Sequence, residues 1–203
     1  MRALSAPSPL CYHENIGVAD VWTAGGTIGV KTRADKIVLV GFMGTGKSTV
    51  ARLLAGRLGV ERIDLDEEIE RDAGRAIADI FDTMGEAHFR DLESAVLGRL
   101  LASDRPFVLA TGGGAVLREA NREAMLRSGF VAALTAAPER IIERVSGDAS
   151  RPLLRGDVEA RVKRLMEERK TAYDFAHVKI DTTDLTPDEV ADRILAAVKE
   201  AVP

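Results

Sequence analysis

The residues Gly41-Phe42-Met43-Gly44-Thr45-Gly46-Lys47-Ser48 carry the spacing G-x-x-x-x-G-K-[ST]. Glycines so placed let backbone N–H groups curl around a phosphate without Cβ interference. A helix that starts at the lysine adds the positive end of its dipole. Lys47 can then reach β- and γ-phosphates, and the Ser48 hydroxyl can ligate Mg²⁺. The chemistry implied is binding of a purine nucleoside triphosphate together with Mg²⁺.

Three other groups bear on what receives the phosphoryl group. Asp64-Leu65-Asp66 falls where a second strand should end, and α/β sheets hold ligands beyond the carboxyl ends of their strands. Strand alternation puts Asp64 and Asp66 on one side, one to act through Mg²⁺ and one on an acceptor hydroxyl. Asp66, followed by Glu67 and Glu68, is also a competent helix N-cap. Thr111-Gly112-Gly113-Gly114 closes another apolar run, with glycines where a metal-binding Asp often stands. Three glycines there let backbone approach a small acceptor closely. Arg90 and Arg169 fall on predicted helices, where an isolated arginine is usually solvated. Arg151 opens differently, inside the polar interval Gly147 to Gly156, the pattern of a mobile lid carrying a cationic finger.

The elements that must position these groups alternate. Ile37-Val38-Leu39-Val40 reads as a buried strand ending at Gly41, followed by a helix over Lys47–Leu58 with Val50, Leu53, Leu54 and Leu58 on one face. Phe107 to Ala110, Phe130 to Leu134 and Val178 to Ile180 are further strands, and Ile63 and its neighbours supply a fifth. Helices are predicted over Asp66–Asp72, Ile77–Met84, Glu86–Ala102, Arg118–Arg127, Pro138–Val145, Val158–Lys170 and Pro187–Ala201. The last begins with Thr186 as N-cap, Pro187 as first helical residue and Glu189 three positions after the cap. Strands separated by helices need right-handed crossovers and a parallel sheet. The expectation is a three-layer α/β/α sandwich on a five-stranded parallel sheet.

Composition narrows the class. The chain has 203 residues, enough for one domain plus a tail, with 46% hydrophobic and 30% charged residues. A net charge of −4 and an aromatic content of 4% argue against a nucleic-acid surface. No run approaches the roughly 18 apolar residues of a membrane span. One cysteine, Cys11, and three scattered histidines leave no disulfide and no zinc spacing. Residues 1–35 show neither helical nor strand period and no signal-peptide pattern, and read as a flexible extension without a catalytic part. Gly25 to Gly29 lacks both a preceding strand and a following Lys-Ser. The remainder, 36–203, reads as one cytoplasmic catalytic domain with a mobile lid near 146–156.

Taken together, these motifs resemble shikimate kinase, a P-loop small-molecule kinase family, over about Lys36 to Glu200. The Gly-Phe-Met-Gly-Thr-Gly-Lys-Ser-Thr loop, the Asp64/Asp66 pair, Phe89-Arg90-Asp91-Leu92-Glu93, Thr111-Gly112-Gly113-Gly114 and Arg151-Pro152-Leu153-Leu154 follow that family's order and spacing. The resemblance implies ATP-dependent phosphorylation of the 3-hydroxyl of shikimate, in chorismate and aromatic amino-acid synthesis. It implies that Gly44, Thr45, Gly46, Lys47, Ser48 and Thr49 bind ATP, and that Ser48 and Asp64 hold one Mg²⁺ per subunit. Asp66 would hydrogen-bond the reacting hydroxyl, Arg90 and Arg169 would clamp the carboxylate, and Gly112, Gly113 and Gly114 would line the acceptor pocket. Arg151 would close over the transferring group, Arg144 with Pro152 would flank the adenine, and Glu93 would orient Arg90. The implied partners are ATP and shikimate, without nucleic acid or membrane, for a monomer. Where the family continues Pro-Leu-Tyr, this chain has Thr171-Ala172-Tyr173, so the helix around Arg169 is expected to end differently. Rival readings are a gluconate-type sugar-acid kinase, an adenylate-kinase-like enzyme and a catalytically silent relative that binds partners.

Overall fold

Alternation along the central strands decides the layering. Ile37 and Leu39 pack to one side of the first strand, and Val38 and Val40 to the other, all four fully buried. A strand apolar on both faces has to lie between two layers of helix. The computed structural model describes residues 35–145 and 158–201, and its order is β1 (Lys36–Gly41), α1 (Lys47–Leu58), β2 (Glu61–Asp64), α2 (Leu65–Ala73), α3 (Ile77–Ala102), β3 (Phe107–Ala110), α4 (Glu119–Ser128), β4 (Phe130–Thr135), α5 (Pro138–Val145), α6 (Val158–Glu168), β5 (Val178–Asp181) and α7 (Pro187–Ala201). The five strands form one sheet in the order β2-β3-β1-β4-β5, every pairing parallel. The expected α/β/α sandwich is therefore the fold observed.

α1 and α7 cover the face of Ile37, Leu39 and Val108, with Leu54 and Ile194 fully buried at the seam. Each such side chain contributes about 1.5–3 kcal/mol on burial. α3 and α4 cover the face of Val38, Leu109 and Val131. A smaller cluster of Phe42, Met43, Ile141, Val145, Val162 and Leu165 ties the loop after β1 to α5 and α6. No helix among the described residues is long and apolar enough to cross a membrane.

The expected α7 start is realised as a reciprocal capping box. Glu189 N–H donates to Thr186 Oγ1 at 3.3 Å, and Thr186 N–H donates to Glu189 Oε2 at 2.8 Å. Two helix readings need correction. α2 is capped by Asp64, whose Oδ1 accepts from Asp66 N–H at 3.2 Å, so Asp66 lies within the helix and is not its cap. The break expected between Ile77–Met84 and Glu86–Ala102 is present, since α3 leaves helical dihedrals at Gly85 (φ 81°, ψ 168°), a backbone conformation open mainly to glycine. α6 ends at Glu168, two residues short of Lys170, and turns follow through Phe175.

Candidate active site

The loop between β1 and α1 is shaped by close approach and by left-handed glycines. Gly41, at φ 144°, lies against the carbonyl of Leu134 in β4, where any Cβ would overlap it. Gly44 and Gly46, at φ 77° and 93°, turn the chain so that α1 starts at Lys47 without a side-chain cap. The first N–H groups of α1 are thus left for a ligand, and no acidic side chain occupies its first turn. Thr45 Oγ1 donates to Phe42 O at 2.8 Å and fixes the loop from within. Lys47 is 9% exposed, and its ammonium donates to Gly41 O and Phe42 O, each at 2.8 Å. It is held by neutral carbonyls across the mouth of the loop, a position from which an anion can draw it.

Beside this loop the Ser48 hydroxyl donates to Asp64 Oδ2 at 3.0 Å. A hydroxyl and a carboxylate side by side are the hard oxygen donors that suit Mg²⁺. Among the described residues, no cluster of three or more His, Cys, Asp or Glu could hold a metal. Two protein oxygens with phosphate and water completing the shell is the usual pattern for Mg²⁺, so the residues present fit it. Strand alternation is not what places the two aspartates. β2 stops at Asp64, which faces Ser48, and Asp66 belongs to α2 and lines the adjacent cavity.

That cavity, about 630 Å³, is walled by Asp66, Arg90, Glu93 and the Gly112–Gly114 loop, with Phe81 and Phe89 on its apolar side. Arg90 and Glu93 lie three residues apart on α3, and both point inward. Arg90 Nη1 donates to Glu93 Oε2 at 2.7 Å, and Nη2 to Glu86 Oε1 at 3.1 Å. Burial works against the Arg90 charge, but Glu93 and Glu86 more than offset it and the guanidinium stays ionised. Burial pushes the Glu93 carboxyl above its ordinary range despite Arg90, and the nearby Asp66 charge pushes it the same way. Its other oxygen, Oε1, is buried without a hydrogen-bond partner.

Gly112 and Gly114 answer a close approach. A Cβ on Gly112 would stand 2.8 Å from Asp66 Oδ1 and 3.3 Å from Glu93 Oε1. One on Gly114 would overlap the Arg90 guanidinium. One on Gly113 would lie 3.4 Å from Gly41 O and Met43 N, ordinary contact, so the glycine loop runs beside the phosphate loop with room for about one methyl group between them. Gly113 O accepts from the Tyr173 hydroxyl at 3.0 Å and from Arg169 Nη1 at 3.4 Å. Arg169 is 7% exposed and sits 5.8 Å over the Phe42 ring. Despite the changed sequence after it, Arg169 thus meets the same glycine loop that Arg90 approaches at Gly114. It lines a neighbouring cavity of about 430 Å³, with Phe42 and Tyr173, and not the larger one.

Arg144, on the last turn of α5, donates to Gly44 O at 3.1 Å and to Thr182 O at 3.2 Å, joining the phosphate loop to the end of β5. Thr182, which motif spacing did not single out, is 3% exposed and donates to Thr45 O at 3.2 Å and Thr135 O at 3.0 Å. Its one signal was position, at the carboxyl end of a predicted strand. Tyr173 had the weaker signal of being the residue kept where its neighbours changed. Arg151, Pro152, the lid near 146–156 and the extension to Ala34 lie outside the described residues.

Comparison with known proteins gives this geometry a context. A sequence model described as shikimate kinase matches residues 43–199. A shikimate kinase of Pelotomaculum thermopropionicum is 46% identical over 165 residues, which is 81% of this chain and 95% of that protein. In three dimensions the chain is similar to shikimate kinase from Acinetobacter baumannii in complex with shikimate. That match has a TM-score of 0.79, 38% identity, and covers 83% of this chain and 95% of the other. A gluconokinase from Sinorhizobium meliloti, at 18% identity and a TM-score of 0.55 over 82% of this chain and 92% of its own, shares the fold alone.

Proposed function

This chain belongs to the shikimate kinase family, and we propose that its two adjoining sites pass the γ-phosphoryl group of ATP to the 3-hydroxyl of shikimate, yielding shikimate 3-phosphate and ADP. The observation that carries this reading is the adjacency of Gly113 to Gly41 and Met43, close enough that a single Cβ added at Gly113 would already be in van der Waals contact with both. It sets the acceptor wall directly against the phosphate loop, as in-line transfer requires. Gly44 to Thr49 cradle the phosphates, and Lys47 leaves its two carbonyls to follow the β- and γ-oxygens. Ser48 and Asp64 would hold one Mg²⁺, which when bound supplies charge neutralisation at the phosphates. Arg144, and Pro152 by resemblance, flank the adenine.

On the acceptor side Arg90 grips the carboxylate of shikimate from the larger cavity, and Arg169 leaves Gly113 O to reach it from the neighbouring one. Two guanidinium groups can give it short, charge-assisted hydrogen bonds. Asp66 orients the reacting hydroxyl and takes its proton late, because a loose transition state makes little early demand for a base. Gly112, Gly113 and Gly114 present backbone to the ring. Glu93 holds Arg90 through Oε2, and its unmet Oε1 awaits a donor from a ring hydroxyl or a water. Arg151, by resemblance, closes over the transferring group when the acceptor is seated, which limits loss of ATP to water. The working form is a cytoplasmic monomer, and residues 1–35 take no part in the chemistry.

A coupled ADP-release assay tests the assignment, with shikimate beside gluconate and other hydroxy acids. Turnover dependent on shikimate alone is expected, and folded protein that turns over gluconate instead would overturn it. Arg90→Ala should raise the KM for shikimate by roughly 10²-fold with ATP binding near normal. Equal loss of nucleotide binding, measured by calorimetry, would make Arg90 structural.

A further inference from the structure

Two side chains beside the Ser48–Asp64 pair have no part in the reading above. Arg62 and Asp64 are alternate residues of β2 and leave the strand on one side, with the buried Ile63 pointing to the other. Arg62 Nη2 donates to Asp64 Oδ2 at 3.3 Å, and that same oxygen accepts from Ser48 Oγ. Nη2 also donates to Glu67 Oε1, at the shorter distance of 2.7 Å. Its Nε is buried and has no partner. The guanidinium is therefore held through one nitrogen shared between two carboxylates, and not by the two-pronged fork that locks an arginine in place.

We propose that Arg62 is a positioning residue that sets the cation affinity of the Ser48–Asp64 pair, with Glu67 as the alternative partner that draws its charge away from Asp64. The inference rests on the assignment of Ser48 and Asp64 as Mg²⁺ donors. A cation on Asp64 Oδ2 both occupies a lone pair and repels an incoming divalent ion. The Arg62 side chain is only 25% exposed, so the repulsion is not fully screened. Glu67 stands in the first turn of α2, where the helix dipole favours its charge and keeps it available as the second anchor. The two residues therefore act on the metal with opposite signs. Taking away the arginine tightens metal binding, and taking away the glutamate leaves Arg62 with Asp64 alone and weakens it.

The test titrates Mn²⁺ into the full chain saturated with ADP, reading free Mn²⁺ by electron paramagnetic resonance at low ionic strength. Metal-free melting temperatures check that each variant is folded. Arg62→Gln should bind Mn²⁺ about three- to tenfold more tightly and Glu67→Gln about three- to tenfold more weakly. The double variant should match Arg62→Gln, and Arg62→Lys, which keeps the charge, should stay within about twofold of the parent. Raising salt to about 0.5 M should shrink all the differences, as it does for any partly exposed charge. Unchanged affinities, or shifts of both single variants in one direction, overturn the role of Arg62. A different failure, no Mn²⁺ bound by the parent and none lost in Asp64→Asn, would overturn the donor-pair reading itself.

Discussion

The phosphate loop and the acceptor cavity share a wall, yet they are built by opposite means. The loop is local: one strand end, left-handed glycines and the start of one helix, with its key contacts spanning five or six residues. It offers backbone N–H groups and one lysine, and its ligand-facing geometry is a property of the main chain. The cavity draws Asp66 from α2, Arg90 and Glu93 from α3 and the glycines after β3, and Arg169 with Tyr173, from beyond α6, hold that glycine loop from the neighbouring cavity. It works with buried polar side chains that hold one another, and groups gathered from four places depend on core packing for their positions. A phosphate, common to every nucleotide, can be met by a portable loop, whereas an individual ring acid needs groups that only a whole fold can bring together.

The contrast can be broken at several points. Lys47→Met removes the one charge of the loop while leaving backbone geometry in place. It should lower kcat by about 10³-fold or more at unchanged stability, and single-turnover kinetics within tenfold of the parent would contradict its role. Gly114→Ala probes the cavity. Gly114 has φ −101° and ψ −7°, which alanine adopts without strain, so the cost comes only from the clash with Arg90. We expect a KM for shikimate raised about 10- to 100-fold with ATP binding intact, an effect of about 1–3 kcal/mol of the kind overpacking produces.

Tyr173→Phe is milder. Burial raises the Tyr173 phenol above its ordinary value, so it remains a hydrogen-bond donor to Gly113 O at neutral pH. Losing that bond leaves Arg169 alone on the carbonyl and should cost about 1 kcal/mol, read as a severalfold rise in shikimate KM. A matching rise in ATP KM would place the effect in the phosphate loop instead. The smallest effect belongs to neither region. Hydrogen bonds from Thr186 hold the Glu189 carboxyl below its usual value of 4.5. Its stabilisation of the α7 start is present above that value and disappears as pH falls through the lowered one. Glu189→Gln should therefore flatten the acid limb of the melting-temperature profile slightly and leave catalysis alone, and an unaltered limb would show the box to be idle.

These sites were unequally legible in the amino-acid order. The phosphate loop could be read in full, because G-x-x-x-x-G-K-S constrains a run of backbone whose conformation depends on little else. The layering was legible too, since β1 and β3 are apolar on both faces and lie between helical periods. The cap of α2 was misassigned by two residues, because Asp64 and Asp66 are both capable caps and only the strand's pairing with β3 decides where it stops. The end of α6 was extended past Glu168, since Arg169 and Lys170 suit a helix as well as they suit the turn that replaces it.

What residue order determined by itself was therefore the parallel α/β sandwich and the chemistry of its nucleotide end, both of which rest on short-range spacing and on periodicity. Tertiary packing alone decided that Arg169 and Tyr173 converge on Gly113, that Thr182 braces Thr45, and that Arg62 shares its guanidinium between Asp64 and Glu67. Those contacts join residues up to 137 positions apart, or hang on which of two carboxylates lies nearer. No local pattern encodes such a choice, because it is made by the shape of the core on which the side chains rest.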